Sequence, residues 1–110
     1  MSKGEYLGEF EQLTLLAVLR LDDNAYGVPV REEVENRTGR TAAIGAVYAT
    51  LDRLERKGLL VSRMADATPE RGGRAKRYFH VTAAGMVALR QSQEAVRQMM
   101  KGLKVARSIS

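Results

Sequence analysis

The chain has 110 residues, of which 45% are hydrophobic and 28% are charged, values that are typical of one small globular domain and argue against disorder. It contains no cysteine, which excludes disulfides, thiol catalysis and cysteine-based zinc sites. Its net charge of +5 is uneven, because residues 1–40 contain five basic and eight acidic side chains whereas residues 41–110 contain thirteen basic and five acidic ones, and a basic half of a folded chain is typical of proteins that bind a polyanion.

The N-terminal residues contain no apolar stretch of signal-peptide length. The longest apolar run, residues 15–19, has five residues, whereas a membrane-spanning helix needs about 20. We therefore expect a soluble, cytoplasmic protein that has no membrane partner.

The first half of the chain holds three segments whose apolar residues recur every three or four positions, as on one face of a helix. The predicted helices cover residues 9–21, 28–38 and 43–57. Val30 and Val34 are predicted to face the core from the second helix, because they lie four positions apart. Gly39 and Gly58 are expected to end the second and third helices, because glycine readily adopts the left-handed conformation that follows a helix.

Residues 59–64 and 77–81 are rich in residues that favour strands, and the loop between them is polar, which predicts a β-hairpin. Thr82 is a suitable N-cap for a last helix that is predicted to run from Ala83 to beyond Leu103. Positions 89, 93, 96, 100 and 103 alternate spacings of four and three, the pattern of a helix that packs on another helix. The order of elements predicts a mainly α fold with a β-hairpin, namely a winged helix-turn-helix followed by a long C-terminal helix.

The third predicted helix has the features of a DNA-recognition helix. The face away from its apolar stripe carries small residues first and cations later: Gly45, Ala46, Ala49, Thr50, Arg53, Arg56 and Lys57. Small side chains let the backbone approach DNA in a major groove about 12 Å wide. Thr50 and Arg53 are candidates for base or phosphate contacts, and Tyr48, at the border of the two faces, can pack its ring inward while its hydroxyl reaches a phosphate. Alternatively, Tyr48 is a core residue and Arg53 pairs with Asp52 or Glu55.

The loop of residues 71–77 is a candidate wing, because four of its seven residues are cationic. Its glycine pair, residues 72–73, allows a tight turn at the tip. The side chains on either side of that tip are placed to enter a minor groove or to bind phosphates. The candidate DNA contacts of the loop are Arg71, Arg74, Lys76 and Arg77. Alternatively, the loop is a solvated surface hairpin.

The remaining polar groups are expected to be structural. His80 has no partners at metal-ligand spacing, so we expect no metal site. The glutamates of the second helix are expected to form a solvated face, in which Glu33 pairs with Arg37. The sequence holds no phosphate-binding loop, dinucleotide fingerprint or nucleophile elbow, and we expect neither a cofactor nor an enzymatic activity.

Six short stretches of this sequence form a recognisable combination within residues 7–85, about three quarters of the chain. The stretches are LGEFE (7–11), AYG (25–27), GAVYATLDRLE (45–55), KGL (57–59), RGGRAKRYF (71–79) and VTAAG (81–85). Each stretch alone is a weak signal, whereas the combination is specific. Together they resemble the PadR-like transcriptional regulators, and specifically the short members with a single C-terminal helix.

The resemblance implies a homodimer that binds a roughly palindromic operator in double-stranded DNA, with a DNA-binding domain over residues 1–82 and a dimerisation helix and tail over residues 83–110. It implies that the first and last helices build the dimer, and the candidate contacts are Phe10, Leu13, Leu89, Val96, Met100 and Leu103. It further implies repression that is usually relieved by a small molecule, whose identity is unknown, or by another signal. The alternatives are a winged helix that binds another protein, and a small-molecule sensor whose ligand lies at the dimer interface.

Overall fold

The computed structural model describes residues 6–65 and 75–103, and in these ranges it has four α-helices and one pair of strands. In chain order the elements are α1 Glu9–Leu21, a 3₁₀ turn Asp22–Asn24, α2 Gly27–Thr38, α3 Ile44–Arg56, β1 Leu60–Ala65, β2 Lys76–Val81 and α4 Ala83–Met100. This confirms the mainly α fold with a β-hairpin, and α1 to α3 match their predicted bounds to within one residue. No helix in the described part of the chain is long and apolar enough to cross a membrane.

The helix ends lie at the expected capping residues. Gly39 follows α2 with a φ of +73°, and its N–H donates to the carbonyl of Glu35 at 2.9 Å. Gly58 closes the end of α3 with a φ of +78°. At the start of α4, the hydroxyl of Thr82 accepts a hydrogen bond from the N–H of Gly85 at 3.0 Å. These bonds engage backbone groups that a helix end leaves without an intrahelical partner.

The last helix is shorter than predicted. α4 ends at Met100, whereas the apolar spacing predicts a helix beyond Leu103. Lys101 leaves the helical conformation with a ψ of 132°, and Gly102 has a φ of +83°. Leu103 fits the apolar spacing by its position in the sequence, but the backbone has already left the helical conformation before it.

One hydrophobic core passes through the helices and the sheet. Its fully buried apolar side chains are Leu15, Val18, Val30, Val47, Leu51, Leu54 and Phe79. Val34 is also buried, which confirms the predicted inward face of α2. Burial of each Leu, Val or Phe of this kind stabilises the fold by about 1.5–3 kcal/mol. Since α1 packs against all three other helices and β2, it is the centre of the domain.

The first half of α4 belongs to this core. Leu89 and Ser92 are buried there, and the hydroxyl of Ser92 accepts a hydrogen bond from the backbone N–H of Leu7 at 2.9 Å. The predicted dimer contact Leu89 is therefore already covered by its own chain. The reason is that α4 turns the face of its N-terminal half towards α1 and β2.

β1 and β2 form the predicted hairpin, with Leu60 opposite Val81 and Ala65 opposite Lys76. The backbone N–H of Phe79 donates to the carbonyl of Ala25 at 2.8 Å, which attaches the hairpin to the segment before α2. Residues 66–74 lie outside the described residues, and the predicted wing contacts of that segment lie there with them: Arg71 and Arg74.

Candidate nucleic-acid interface

The exposed face of α3 begins with small side chains. Gly45, Ala46 and Ala49 are all exposed, as predicted. A Cβ placed on Gly45 would meet no described atom within 4 Å, so nothing in the described structure crowds this backbone. The first turns of α3 therefore present an open, narrow surface of the kind that a DNA major groove admits.

Tyr48 lies at the border between the exposed and buried faces of α3, as predicted. Its side chain is 46% exposed. The hydroxyl edge of its ring lies against Gly27, where an added Cβ would overlap the ring. Gly27 is the first residue of α2, and the N-terminal end of a helix carries N–H groups that attract anions. The phenol therefore stands beside a favourable place for a phosphate.

Thr50 does not lie on the exposed face of α3, and that prediction is wrong. Its side chain is only 3% exposed. It follows Val47 by three residues and precedes Leu54 by four, and both of those residues are fully buried, so the helical repeat turns Thr50 inward with them. Its hydroxyl is 3.5 Å from Nη2 of Arg53 and accepts a long hydrogen bond from it.

Arg53 and Lys57, two cations of the exposed face of α3, share one buried carboxylate. Oε2 of Glu11 accepts hydrogen bonds from Nε of Arg53 at 3.0 Å and from Nζ of Lys57 at 2.9 Å. Oε1 of Glu11 accepts a third from the N–H of Gly8 at 2.9 Å. Glu11 is 7% exposed, whereas both cations are exposed. The two positive groups therefore lie at the surface, and both are bound from beneath by the same buried carboxylate.

The surroundings of Glu11 keep it ionised. Burial raises the pKa of this carboxyl, but hydrogen bonds from Lys57, Gly8 and Arg53, and the charge of Lys57, lower it by more. Its pKa therefore lies below the usual value of 4.5. Sequence reasoning missed this residue as part of the site. The available signal was its capping-box spacing after Gly8, which predicts a contact at the start of α1 but says nothing of α3.

The side chain of Arg77 is partly exposed, but its guanidinium binds side chains of α3. Its Nη1 donates to Oδ1 of Asp52 at 2.8 Å, its Nη2 binds Oε1 of Glu55, and its Nε donates to the hydroxyl of Ser62 at 3.0 Å. Asp52 and Glu55, the alternative partners expected for Arg53, are thus occupied by Arg77. The structure therefore places this predicted DNA contact as a brace between β2 and α3.

Lys76 lies in a basic and aromatic patch on one face of the hairpin, at the end of β2 that adjoins the loop. Its Nζ is 5.0 Å from the ring centroid of Tyr26, and that ring meets Tyr78 edge-on at a centroid distance of 5.3 Å. On β1, the guanidinium of Arg63 lies 5.3 Å from the centroid of Tyr78, its partner across the strands. Sequence reasoning missed Arg63, although its alternation within β1 places it on the same side of the hairpin as Tyr78. Cation–π contacts of this type hold the positive charges near the rings.

The second half of α4 leaves apolar side chains in water. Val96 is 54% exposed and Met99 is 79% exposed, and Leu103 beyond the helix end is also exposed. Met100 is half-buried, and so are the α1 candidates Phe10 and Leu13. Adjacent exposed apolar residues on one element are typical of an interface rather than of a surface that stays in contact with water.

Comparison with known proteins gives consistent results for sequence and for structure. Residues 15–91 match the family described as the transcriptional regulator PadR-like family. The transcriptional regulator Rv3488 of Mycobacterium tuberculosis is 35% identical over 82 residues, which cover 73% of this chain and 70% of that protein.

Among solved structures, a PadR family transcriptional regulator from Eggerthella lenta is similar with a TM-score of 0.68 at 22% identity, over 93% of this chain and 87% of that chain. One from Clostridium difficile is similar with a TM-score of 0.64 at 23% identity, over 83% of this chain and 94% of that chain. At these identities the likeness shows a shared fold, the winged helix-turn-helix. Because the family match spans most of the chain, the protein belongs to the PadR-like family of transcriptional regulators.

Proposed function

We propose that the protein is a sequence-specific DNA-binding repressor that binds a pseudo-palindromic operator as a homodimer. The observation that carries this proposal is the surface of α3, where an open backbone at Gly45 and Ala49 is followed by the cations Arg53 and Lys57. A helix of this form fits the major groove with its small residues closest to the base edges. Its cations then reach bases and phosphates.

Other groups around α3 supply backbone contacts. Tyr48 and the N-terminus of α2 bind one phosphate, and Lys76 and Arg63 on one face of the hairpin bind the next part of the DNA strand. We assign minor-groove or phosphate contacts to Arg71 and Arg74 in the wing, on the basis of their charge alone. Phosphate contacts of this kind supply much of the affinity and hold the register, whereas contacts in the groove choose the sequence.

We assign dimerisation to residues 83–110 together with the exposed side of α1. The support is the exposed apolar pair Val96 and Met99 on α4, together with the half-buried Phe10 and Leu13 on α1. A two-fold dimer places two copies of α3 on one side of the duplex, about 34–36 Å apart, which corresponds to one helical turn of DNA. We place this dimer in the cytoplasm, where it occupies the operator until an effector weakens binding.

Selection of bound sequences from random duplex DNA tests this proposal. We expect an enriched site with inverted symmetry and half-site centres about 10 base pairs apart. The selected duplex should bind less tightly as salt rises, because bound cations release counterions from DNA. Arg53→Gln should weaken this binding, whereas Arg20→Gln, an equal loss of charge at the end of α1, should not. Failure to enrich any site would refute the proposal.

A second candidate is a winged helix that binds a different protein through α4, since the same exposed side chains, Val96 and Met99, fit either kind of partner. Sedimentation of the purified chain separates the two functions. A dimer that forms without any other protein supports the repressor, whereas a stable monomer with no selected DNA site supports the protein-binding module.

A further inference from the structure

The contacts of Glu11 change the charge and the freedom of two residues that face DNA in the proposed function. Its side chain is 91% buried beneath α3, and one carboxylate oxygen binds Arg53 and Lys57 together. The three groups carry a net charge of +1, although the two outward-facing ones alone carry +2. Because burial holds the carboxylate in one place, the carboxylate sets the position of the two cationic groups that bind it.

The hydrogen bonds to Glu11 leave donors on both cations for DNA. A guanidinium has five N–H donors and an ammonium has three. Arg53 uses Nε on Glu11 and Nη2 on Thr50, and its Nη1 makes no hydrogen bond within residues 6–65 and 75–103. The ammonium of Lys57 makes one hydrogen bond, to Glu11, in the same part of the chain. Each cation is therefore bound on its inner side and has donors left for a base or phosphate.

We propose that Glu11 is a positioning residue that determines sequence specificity. It holds Arg53 and Lys57 in one arrangement and cancels one of their two charges, so that DNA discrimination rises while non-specific affinity falls. This inference rests on the proposed DNA-binding function. The inference depends on two physical relations. Affinity for any DNA sequence rises with the number of phosphate charges that are neutralised. Preference for one sequence over another depends on the geometry of the contacts at base edges.

The experiment compares Glu11→Gln with Glu9→Gln. Both substitutions remove one negative charge from the first turn of α1, but Glu9 is exposed and binds Arg40 at the surface. Each protein is titrated with the duplex that the unmodified protein selects from random DNA, and with a scrambled duplex of the same composition, over a series of salt concentrations. The first measured quantity is the discrimination ratio, which is the dissociation constant for the scrambled duplex divided by that for the selected duplex. The second is the slope of the logarithm of affinity against the logarithm of salt concentration.

We expect Glu11→Gln to bind the scrambled duplex more tightly, with a salt slope that is steeper by about one phosphate contact. The ratio of dissociation constants should fall by about fivefold or more, the lower end of what one well-placed base contact contributes. Glu9→Gln should keep the ratio of the unmodified protein. An unchanged ratio in Glu11→Gln, with DNA binding intact in the unmodified protein, overturns the inference and leaves the proposed function standing.

A second variant separates position from charge and covers the case in which Glu11→Gln does not fold. Glu11→Asp keeps the negative charge but is one methylene shorter, so its carboxylate cannot reach Gly8, Arg53 and Lys57 at the same distances. It should lower the discrimination ratio while keeping the salt slope of the unmodified protein. An unchanged ratio in this variant overturns the inference, and failure of the unmodified protein to select any duplex overturns both the inference and the proposed function.

Discussion

Gly85 in the first turn of α4 has no room for a side chain. A Cβ at this position would overlap the carbonyl oxygen of Leu59 and would lie 2.8 Å from Cγ1 of Val81. The same carbonyl accepts a hydrogen bond from the N–H of Thr82 at 3.1 Å. The substitution Gly85→Ala therefore forces apart the backbone at the end of α3, the hairpin and the start of α4. Gly45 in α3 is the matched control, because no described atom lies within 4 Å of the Cβ that alanine would add there.

The expected free-energy changes have opposite signs. Overpacking costs about 1–3 kcal/mol, and weakening the Thr82 hydrogen bond costs about 0.5–1.5 kcal/mol. Alanine gains about 0.5–1 kcal/mol over glycine within a helix. Gly85→Ala should thus lower the free energy of unfolding by about 0.5–4 kcal/mol, whereas Gly45→Ala should raise it by up to about 1 kcal/mol.

Urea unfolding followed by circular dichroism, at one protein concentration, measures both changes. A domain of this size loses about 4 °C in melting temperature for each kcal/mol, so thermal unfolding gives an independent check. If Gly85→Ala is as stable as the unmodified protein, the close approach of α4 to Leu59, in the turn between α3 and β1, is refuted. If Gly45→Ala is destabilised, the open space around Gly45 on the surface of α3 is refuted. The same Gly45→Ala protein should bind the selected DNA less tightly, because the added methyl group keeps the backbone away from the groove.

Three further predictions follow from contacts at the site and on α4. Arg77→Gln should lower stability by about 1 kcal/mol, because it loses partly exposed ion pairs, and it should lower DNA affinity in gel shifts, because two carboxylates on α3 lose their partner. Urea unfolding compares it with Lys76→Gln, since Lys76 makes no ion pair among the described residues. An equal loss of stability in both variants contradicts the bracing role. The lowered pKa of Glu11 contributes stability that is present above pH 4.5 and is lost as the pH falls through the lower pKa of the folded state. In urea unfolding from pH 6 to pH 3, the free energy of unfolding should therefore fall less steeply for Glu11→Gln than for the unmodified protein. Parallel curves for the two proteins would contradict the lowered pKa. Val96→Glu should dissociate the proposed dimer in sedimentation. Ala95→Glu, at a neighbouring exposed position outside the 89-93-96-100-103 pattern, should leave the dimer intact. A Val96→Glu protein that still sediments as a dimer would place the interface elsewhere.

Local patterns in the sequence were sufficient for the elements and for most helix ends. The capping residues Gly39 and Thr82 act within a few positions of the chain, so their effect is visible in the sequence itself. The small residues of α3 were placed correctly for the same reason, since helical spacing separates them from Val47 and Leu51. Thr50 lies where the two faces meet, and there a one-residue uncertainty in helix phase reverses the expected exposure.

Partners from distant parts of the chain were not predictable in this way. Glu11 and Lys57 are separated by 46 positions, and their contact depends on how α1 crosses α3. Arg77 has the charge of a DNA contact, and only the packing of β2 beside α3 brings it to Asp52. A single sequence reports charge and spacing, whereas the choice among several available carboxylates follows from distances that are set by the assembled core.

The brace at Arg77 has an evolutionary consequence. Arg77, Asp52, Glu55 and Ser62 are joined by hydrogen bonds and two ion pairs, and each has partners within this group. Loss of any one member leaves an unmatched donor or acceptor beside α3. Across related regulators, substitutions at these four positions should therefore be inherited together. The neighbouring Arg63 makes no such network among the described residues, so its position does not share this constraint.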